Sequence, residues 1–313
     1  MVLSNEGLKV LYILGSSRSG STLLDNVLNE LDGFFSVGEV RFLWERILQR
    51  RSCACRRLVE DCEIWSAVFE DSHLPVSPRE AQAVVGWQRR ELRLERTWRL
   101  LRRGESLNPD AGAYAAVLAQ VYRSVANVTG SAVIVDSSKR ASDGALLASL
   151  PGIVPYYVHL VRDSRAVVYS NRRVRENPDR EGGEMPRAGL LKSVVHWNGY
   201  NWAAEAVSRR HAGKALFMRY EDFAARPAQA VRLVVELLGQ NVGGLPLNEE
   251  RTATLRGNHS VSGNSSRFMT GQVRIRNDDE WISRLPAVDQ HLTAALTFPL
   301  LRRYRYPLLA RGG

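Results

Sequence analysis

The sequence predicts an α/β domain: a parallel sheet covered by helices on both faces, with a phosphate-cradling loop after its first strand. Three observations lead there. Short apolar runs alternate with helically spaced ones along the 313 residues. The first run stops abruptly at a loop of small residues, Gly15-Ser-Ser-Arg-Ser-Gly-Ser-Thr22, and a helical periodicity comes after it. Strands alternating with helices are the pattern of parallel sheets buried on both faces. A composition 44% hydrophobic and 24% charged excludes wholesale disorder, collagen and coiled coil. We expect a single domain over residues 1–313, with a helical insertion at about residues 45–130.

Taken in order, Lys9–Leu14 (KVLYIL) reads as a buried strand. Leu23, Leu24, Val27, Leu28 and Leu31 then share one helical face. Further strands are expected at Ala132–Asp136, Tyr156–Val161 and Ala215–Arg219, and helices at Ala141–Leu150 and Pro186–Arg210. Ligand sites in such sheets lie at the carboxyl ends of the strands. Arg79–Arg103 reads as one helix, with Val84, Trp87, Leu94, Trp98 and Leu101 on a single stripe and arginines around the rest. A solvated basic face is the plain reading, and a lid or a surface for an acidic partner are the alternatives. Arg172–Gly189, polar and holding Pro178, Gly182, Gly183 and Pro186, is expected to be a mobile loop.

Forty-three basic residues against 33 acidic ones leave a net charge of +10, and only four of the basic residues are lysines. That surplus favours anionic ligands without choosing among nucleotides, nucleic acid and acidic lipids. No apolar run approaches the ~20 residues a bilayer requires, and no basic stretch followed by an apolar one opens the chain. Three cysteines make no disulfide framework, so a reducing cytoplasm is expected. Cys53-Ala-Cys55 and Cys62 precede Trp65, and His73 would complete a zinc set. The spacing is irregular for a structural zinc site, so small buried or redox-sensitive thiols are the reading and no metal ligand is assigned. His159 falls inside a strand, while His196 and His259 are the histidines that could reach an acceptor.

The loop from Gly15 to Gly20 has the GxxxxG spacing of a phosphate site, where backbone N–H groups and a helix N-terminus face an anion. A nucleoside-triphosphatase loop then needs a Lys before the Ser or Thr, and Ser21 stands there instead. The cation is Arg18, inside the loop. This pattern, Arg18-Ser-Gly-Ser-Thr-Leu-Leu24, resembles the 5′-phosphosulfate loop of sulfotransferases that use 3′-phosphoadenosine 5′-phosphosulfate (PAPS). In that family a second strand ends in Arg, with a Ser eight residues on. Here Tyr156–Val161 is followed by Arg162 and, in register, Ser170, a hydroxyl expected at a helix start. The resemblance implies that Ser17, Arg18, Ser19, Gly20, Ser21 and Thr22 hold the 5′-phosphosulfate and that Arg162 and Ser170 hold the ribose 3′-phosphate. The Gly/Asn/Ser-rich segment Gly257–Trp281 resembles the family's cofactor-closing loop, which adds Asn264 and Arg267 to the donor site.

Sulfuryl transfer needs a base for the acceptor hydroxyl, cations on the transferring group and in-line placement, as phosphoryl transfer does. A sulfuryl group carries one charge fewer than a phosphoryl group, so Arg and Lys can replace a metal, and no metal is expected. Glu39, in Gly38-Glu39, is placed like the base of the tyrosylprotein sulfotransferases. The cytosolic small-molecule enzymes instead use a His in the segment corresponding to Asp136-Ser-Ser-Lys139, which here has none. Lys139 resembles the lysine that contacts the transferring group, Arg18 would face its oxygens, and Ser265, 16 residues before Trp281, matches a stabilising serine. The resemblance therefore implies a bacterial, cytoplasmic enzyme of secondary metabolism acting on a small-molecule hydroxyl, such as a phenol or sugar. It implies no nucleic-acid or membrane partner and leaves a homodimer open. The alternatives are a P-loop nucleotide or small-molecule kinase and a protein-tyrosine sulfotransferase.

Overall fold

The computed structural model describes residues 7–308 apart from 75, 103–106, 176, 178 and 180–182. Five parallel strands, β1 (Leu8–Leu14), β2 (Phe34–Gly38), β3 (Val133–Lys139), β4 (Ile153–Val161) and β5 (Ala215–Arg219), form one sheet in the order β2-β3-β1-β4-β5. Side chains of β1 alternate between two separate cores. Val10, Tyr12 and Leu14 pack with the helices Glu63–Ser72, Pro78–Glu91, Pro109–Thr129 and Ala141–Leu147. Leu11 and Ile13 pack with the helices Ser21–Asn29 and Pro227–Leu237. The expected two-faced parallel sheet is therefore present. Each fully buried Leu or Ile in these layers contributes about 1.5–3 kcal/mol of transfer free energy. Among the described residues no helix is long and apolar enough to cross a membrane.

Three elements differ from expectation. The edge strand β2 has no counterpart among the expected strands: Phe34–Gly38 is short and ends in Ser, Val and Gly, and only its pairing with β3 defines it. A small antiparallel pair, β6 (Thr252–Leu255) and β7 (Gly271–Arg274), brackets the segment expected to be loop. Nor is Arg79–Arg103 one helix. A helix runs Pro78–Glu91, opened by a Ser77/Glu80 capping box, and a second runs Thr97–Arg102. The chain breaks at Leu92, whose side chain is buried and whose carbonyl accepts a hydrogen bond from Ser142 Oγ at 3.2 Å. That partner replaces the one a continuing helix would have given, and it leaves Trp98 half exposed rather than on a buried stripe. Arg103 and the Pro178 and Gly182 positions of the expected loop lie outside the described residues.

Two irregularities at the carboxyl edge of the sheet orient the side chains at its centre. Between Tyr12↔Asp136 and Leu14↔Lys139, β3 carries one residue more than β1. Between Ser36↔Val135 and Gly38↔Asp136, β2 carries one more than β3. Bulges of this kind re-aim the neighbouring side chains, here Lys139 and Glu39.

Candidate active site

Above this edge opens a cavity of about 790 Å³, within the usual range for small-molecule sites. Its floor is the Gly15–Thr22 loop. Gly20 takes a left-handed conformation (φ 87°) and caps the helix Ser21–Asn29 with no side-chain hydrogen bond; the Leu23 and Leu24 amides donate to its carbonyl, and those of Ser21 and Thr22 are the first-turn donors left for an anion. A Cβ at Gly20 would lie 2.3 Å from the Tyr220 ring, so only glycine allows this approach. Arg18, also left-handed (φ 66°), aims its guanidinium toward Met185 Sδ, 3.7 Å away.

Glu39 and Lys139 meet at the centre. Lys139 Nζ donates to Glu39 Oε1 at 2.6 Å and to the Ser137 carbonyl at 2.9 Å, leaving one of its three N–H groups for another acceptor. Glu39 is held from behind, since its amide donates to the Ser262 carbonyl at 3.2 Å. Gly38 sits at φ 67°, where a Cβ would stand 2.7 Å from Ser260 Cβ and 2.8 Å from the Ser262 carbonyl. The Gly-Glu pair therefore has a steric reason: the glycine lets the C-terminal loop close onto the base of Glu39.

Arg162 succeeds β4 and forms a second wall. Its guanidinium donates to the Arg18 carbonyl at 3.3 Å, pairs with Asp278 at 3.0 Å and lies over the Tyr220 ring. Ser170 lines the same wall and accepts from Arg175 at 3.2 Å. It lies two residues from the end of the helix Ser164–Arg172, not at a helix start. Burial, then the charge of Arg175, lowers the Arg18 guanidinium from its ordinary value. Arg175 is lowered in the same way, by burial and then by Arg173. Arginines crowded in this way form a field that a bound anion relieves.

The predicted donor and catalytic residues largely converge. Ser17, Arg18, Gly20, Ser21 and Thr22 line the cavity, as do Glu39 and Lys139, Arg162 and Ser170, and Asn264. Three do not line it. Ser19 is fully buried beneath the loop, and its hydroxyl has no partner among the described residues. Ser265 is exposed and bonded to Asn264 Oδ1 at 3.2 Å. Arg267 is buried against Asp179, the Gly263 carbonyl and the Phe268 ring. Ser262, Lys192 and Arg276 line the cavity although the sequence singles out none of them; Ser262 and Arg276 belong to the segment that resembles the closing loop, while Lys192 comes from a helix whose local pattern carries no site signature. His196 lines it too, its imidazole lowered by burial and by Lys192. His259 lies elsewhere.

A family model described as "Sulfotransferase family" matches residues 11–242, well over half of the chain. No curated protein matches the sequence. Among solved structures, a sulfotransferase domain from the curacin biosynthetic pathway shares the fold with a TM-score of 0.54 at 16% identity, over 97% of this chain and 99% of that one. A sulfotransferase domain from the Synechococcus PCC 7002 olefin synthase gives 0.44 at 20% identity, over 97% of each chain. A sulfotransferase from Alicyclobacillus acidocaldarius gives 0.37 at 12%, over 95% and 96%.

Proposed function

The chain belongs to the sulfotransferase family, and from that premise we propose that it moves a sulfuryl group from PAPS to a hydroxyl of a small-molecule acceptor, with Glu39 as general base. One observation carries the reading. The glycine loop after β1, the Arg162–Ser170 wall after β4 and the Glu39–Lys139 pair face a single cavity. The residues fit the donor: open helix-start amides and Arg18 for the 5′-phosphosulfate, and Arg162 with the Ser170 hydroxyl for the 3′-phosphate. The Arg162–Asp278 pair is one a phosphate would compete for.

The chemistry is an in-line displacement at sulfur. Glu39 takes the acceptor's proton as the acceptor oxygen bonds to sulfur. The bond from sulfur to the 5′-phosphate oxygen breaks, leaving 3′,5′-adenosine bisphosphate. Lys139 and Arg18 hold the negative oxygens through the step. The third N–H of Lys139 is the one free for a sulfuryl oxygen, while the other two keep its ammonium between Glu39 and Ser137. His196 and Lys192 line the same cavity and are the groups we assign to the acceptor.

Thermal unfolding tests the donor site without any acceptor. At about 100 times its dissociation constant a ligand stabilises by about 2.7 kcal/mol, a shift of a few degrees at this size. 3′,5′-Adenosine bisphosphate should produce that shift without metal and 5′-AMP much less. A shift with ATP and Mg²⁺ alone would overturn the reading in favour of a kinase.

A further inference from the structure

The three cysteines, absorbed by no part of the sulfuryl-transfer chemistry, meet a fourth group in the fold. The sulfurs of Cys53, Cys55 and Cys62 and a ring nitrogen of His259 all lie within 4.8 Å of one another. We propose that these four side chains bind one structural zinc ion, fastening the loop that carries Ser262–Asn264 to the Cys53–Cys55 hairpin. A tetrahedral zinc with Zn–S near 2.3 Å and Zn–N near 2.0 Å spaces its donors about 3.5–3.8 Å apart. Separations at the 4.8 Å limit have to close by about an ångström, while the 3.1 Å between Cys62 Sγ and His259 Nδ1 has to open by about half of one. Three thiolates and an imidazole are a complete four-ligand shell, as structural sites have and catalytic ones do not.

The backbone is shaped for this. Ser52 and Leu58 bridge, Cys53 N donates to the Arg57 carbonyl at 2.8 Å, and Arg56 N donates to the Cys53 carbonyl at 2.9 Å. Arg56 takes a left-handed turn (φ 70°), which puts Cys53 and Cys55 on the same side of a tight hairpin. Cys62 stands immediately before the helix Glu63–Ser72. His259 presents Nδ1 to Cys62 Sγ at 3.1 Å, and its Nε2 lies 3.7 Å from Glu63 Oε1. A ligand histidine with its second nitrogen toward a carboxylate is the usual outer arrangement of a metal site. Trp65 Nε1 donates to the His259 carbonyl at 2.7 Å, and Ala54 N to the Ser260 carbonyl at 3.0 Å, so both partners are held before any ion arrives. His73, the fourth ligand the local spacing suggests, is exposed at the far end of that helix and outside the cluster.

None of the four residues lines the cavity, so the ion would touch no substrate. It would instead secure the chain just beyond His259, where Val261 N donates to the Val37 carbonyl at 3.1 Å and the Ser262 carbonyl accepts from Glu39 N at 3.2 Å. The thiols bind as thiolates, and the protons they release pass to solvent.

The test is metal analysis of the full-length chain, purified without a histidine tag under reducing conditions. Wild type should hold about one zinc per chain, and Cys62→Ser and His259→Asn less than about a tenth, with His73→Asn unchanged. Because ligand loss can prevent folding, wild type is also stripped with a chelator and titrated with Co²⁺. The expected result is the visible absorption of tetrahedral, thiolate-bound cobalt, with a melting temperature that falls on stripping and returns with zinc. Wild type that holds no zinc after growth with zinc and gives no tetrahedral cobalt spectrum overturns the proposal. So does a disulfide within the cluster found by mass spectrometry of the freshly purified chain, or zinc retained in full by a folded His259→Asn protein.

Discussion

Two loops meet at the cavity, where Asn264 N donates to Thr22 Oγ1 at 3.3 Å, and they are held in opposite ways. The Gly15–Thr22 loop leaves a strand at the centre of the sheet, and backbone conformation shapes it: left-handed Arg18 and Gly20, then a helix start. The Asn258–Arg267 loop has no such neighbours in sequence. Distant side chains hold it instead: Asn26 Nδ2 on the Ser266 carbonyl at 2.7 Å, Trp65 on His259, and Asp179 on Arg267. The first kind of site is written locally and reads directly from the sequence. The second exists only once the chain has folded.

The largest expected effect lies at Glu39, whose amide the second loop holds through the Ser262 carbonyl. Glu39→Gln keeps the shape and the Lys139 contact but cannot accept a proton. Turnover should fall about 10³-fold, within the range for a lost general base, while affinity for 3′,5′-adenosine bisphosphate stays nearly unchanged. Turnover close to wild type would remove Glu39 from that role. Gly38→Ala attacks the closure itself. It strains a left-handed backbone and drives a methyl into Ser260 and the Ser262 carbonyl, at a cost of about 3 kcal/mol in urea-unfolding free energy. A loss under about 1 kcal/mol would show that the C-terminal loop yields easily.

The same contrast decides what was legible. Four of the five parallel strands and the phosphate loop could be read because a continuous apolar run and a Gly/Ser turn are local signals. Glu39, Lys139 and Arg162 could be singled out because each lies at or just beyond a strand end, and Ser170 because it follows Arg162 at the spacing of the second motif. β2 escaped because its five residues, Phe34–Gly38, become a strand only beside β3. The break at Leu92 escaped because the partner its carbonyl finds, Ser142, lies 50 residues on. The partner of the cysteines escaped for the same reason: His259 is 197 residues from Cys62, and His73, nearer in sequence, lies outside the cluster. Ser265, named by its spacing to Trp281, and Arg267, named by the likeness of its segment to the closing loop, do not line the cavity; the carboxylate that holds Arg267, Asp179, comes from a distant part of the chain.

Arg162→Ala sharpens the comparison within the donor site. If the guanidinium serves the 3′-phosphate, affinity for 3′,5′-adenosine bisphosphate should fall about 30- to 100-fold, or 2–3 kcal/mol, the range for charge-assisted hydrogen bonds. Affinity for 5′-AMP should change little. An equal loss for both nucleotides, measured by calorimetry, would mean that Arg162 acts chiefly by holding the Arg18 carbonyl.

The smallest effect concerns the hidden face of the helix that leads away from the phosphate loop. Asp25 is buried there, and neither carboxyl oxygen has a hydrogen-bond partner among the described residues. Burial raises its pKa from 3.8 to about 7, with the nearby Ser36 hydroxyl opposing the shift, Asp136 adding to it and Lys139 opposing it. Between those values the folded chain keeps a proton that the unfolded chain has released. The stability tied to Asp25 is therefore complete below 3.8 and is lost as pH rises through about 7. His159, lowered by burial to about 4, gives the opposite slope below its ordinary value of 6.5, but it is common to wild type and variant. Asp25→Asn removes only the Asp25 slope. From pH 5 to pH 8 wild type should lose about 2 kcal/mol relative to the variant in urea-unfolding free energy. Parallel profiles would mean that Asp25 ionises freely in the fold. A divergence would show that the locally written loop rests on a protonated carboxyl, and so fails with rising pH where the distant loop fails with loss of its partners.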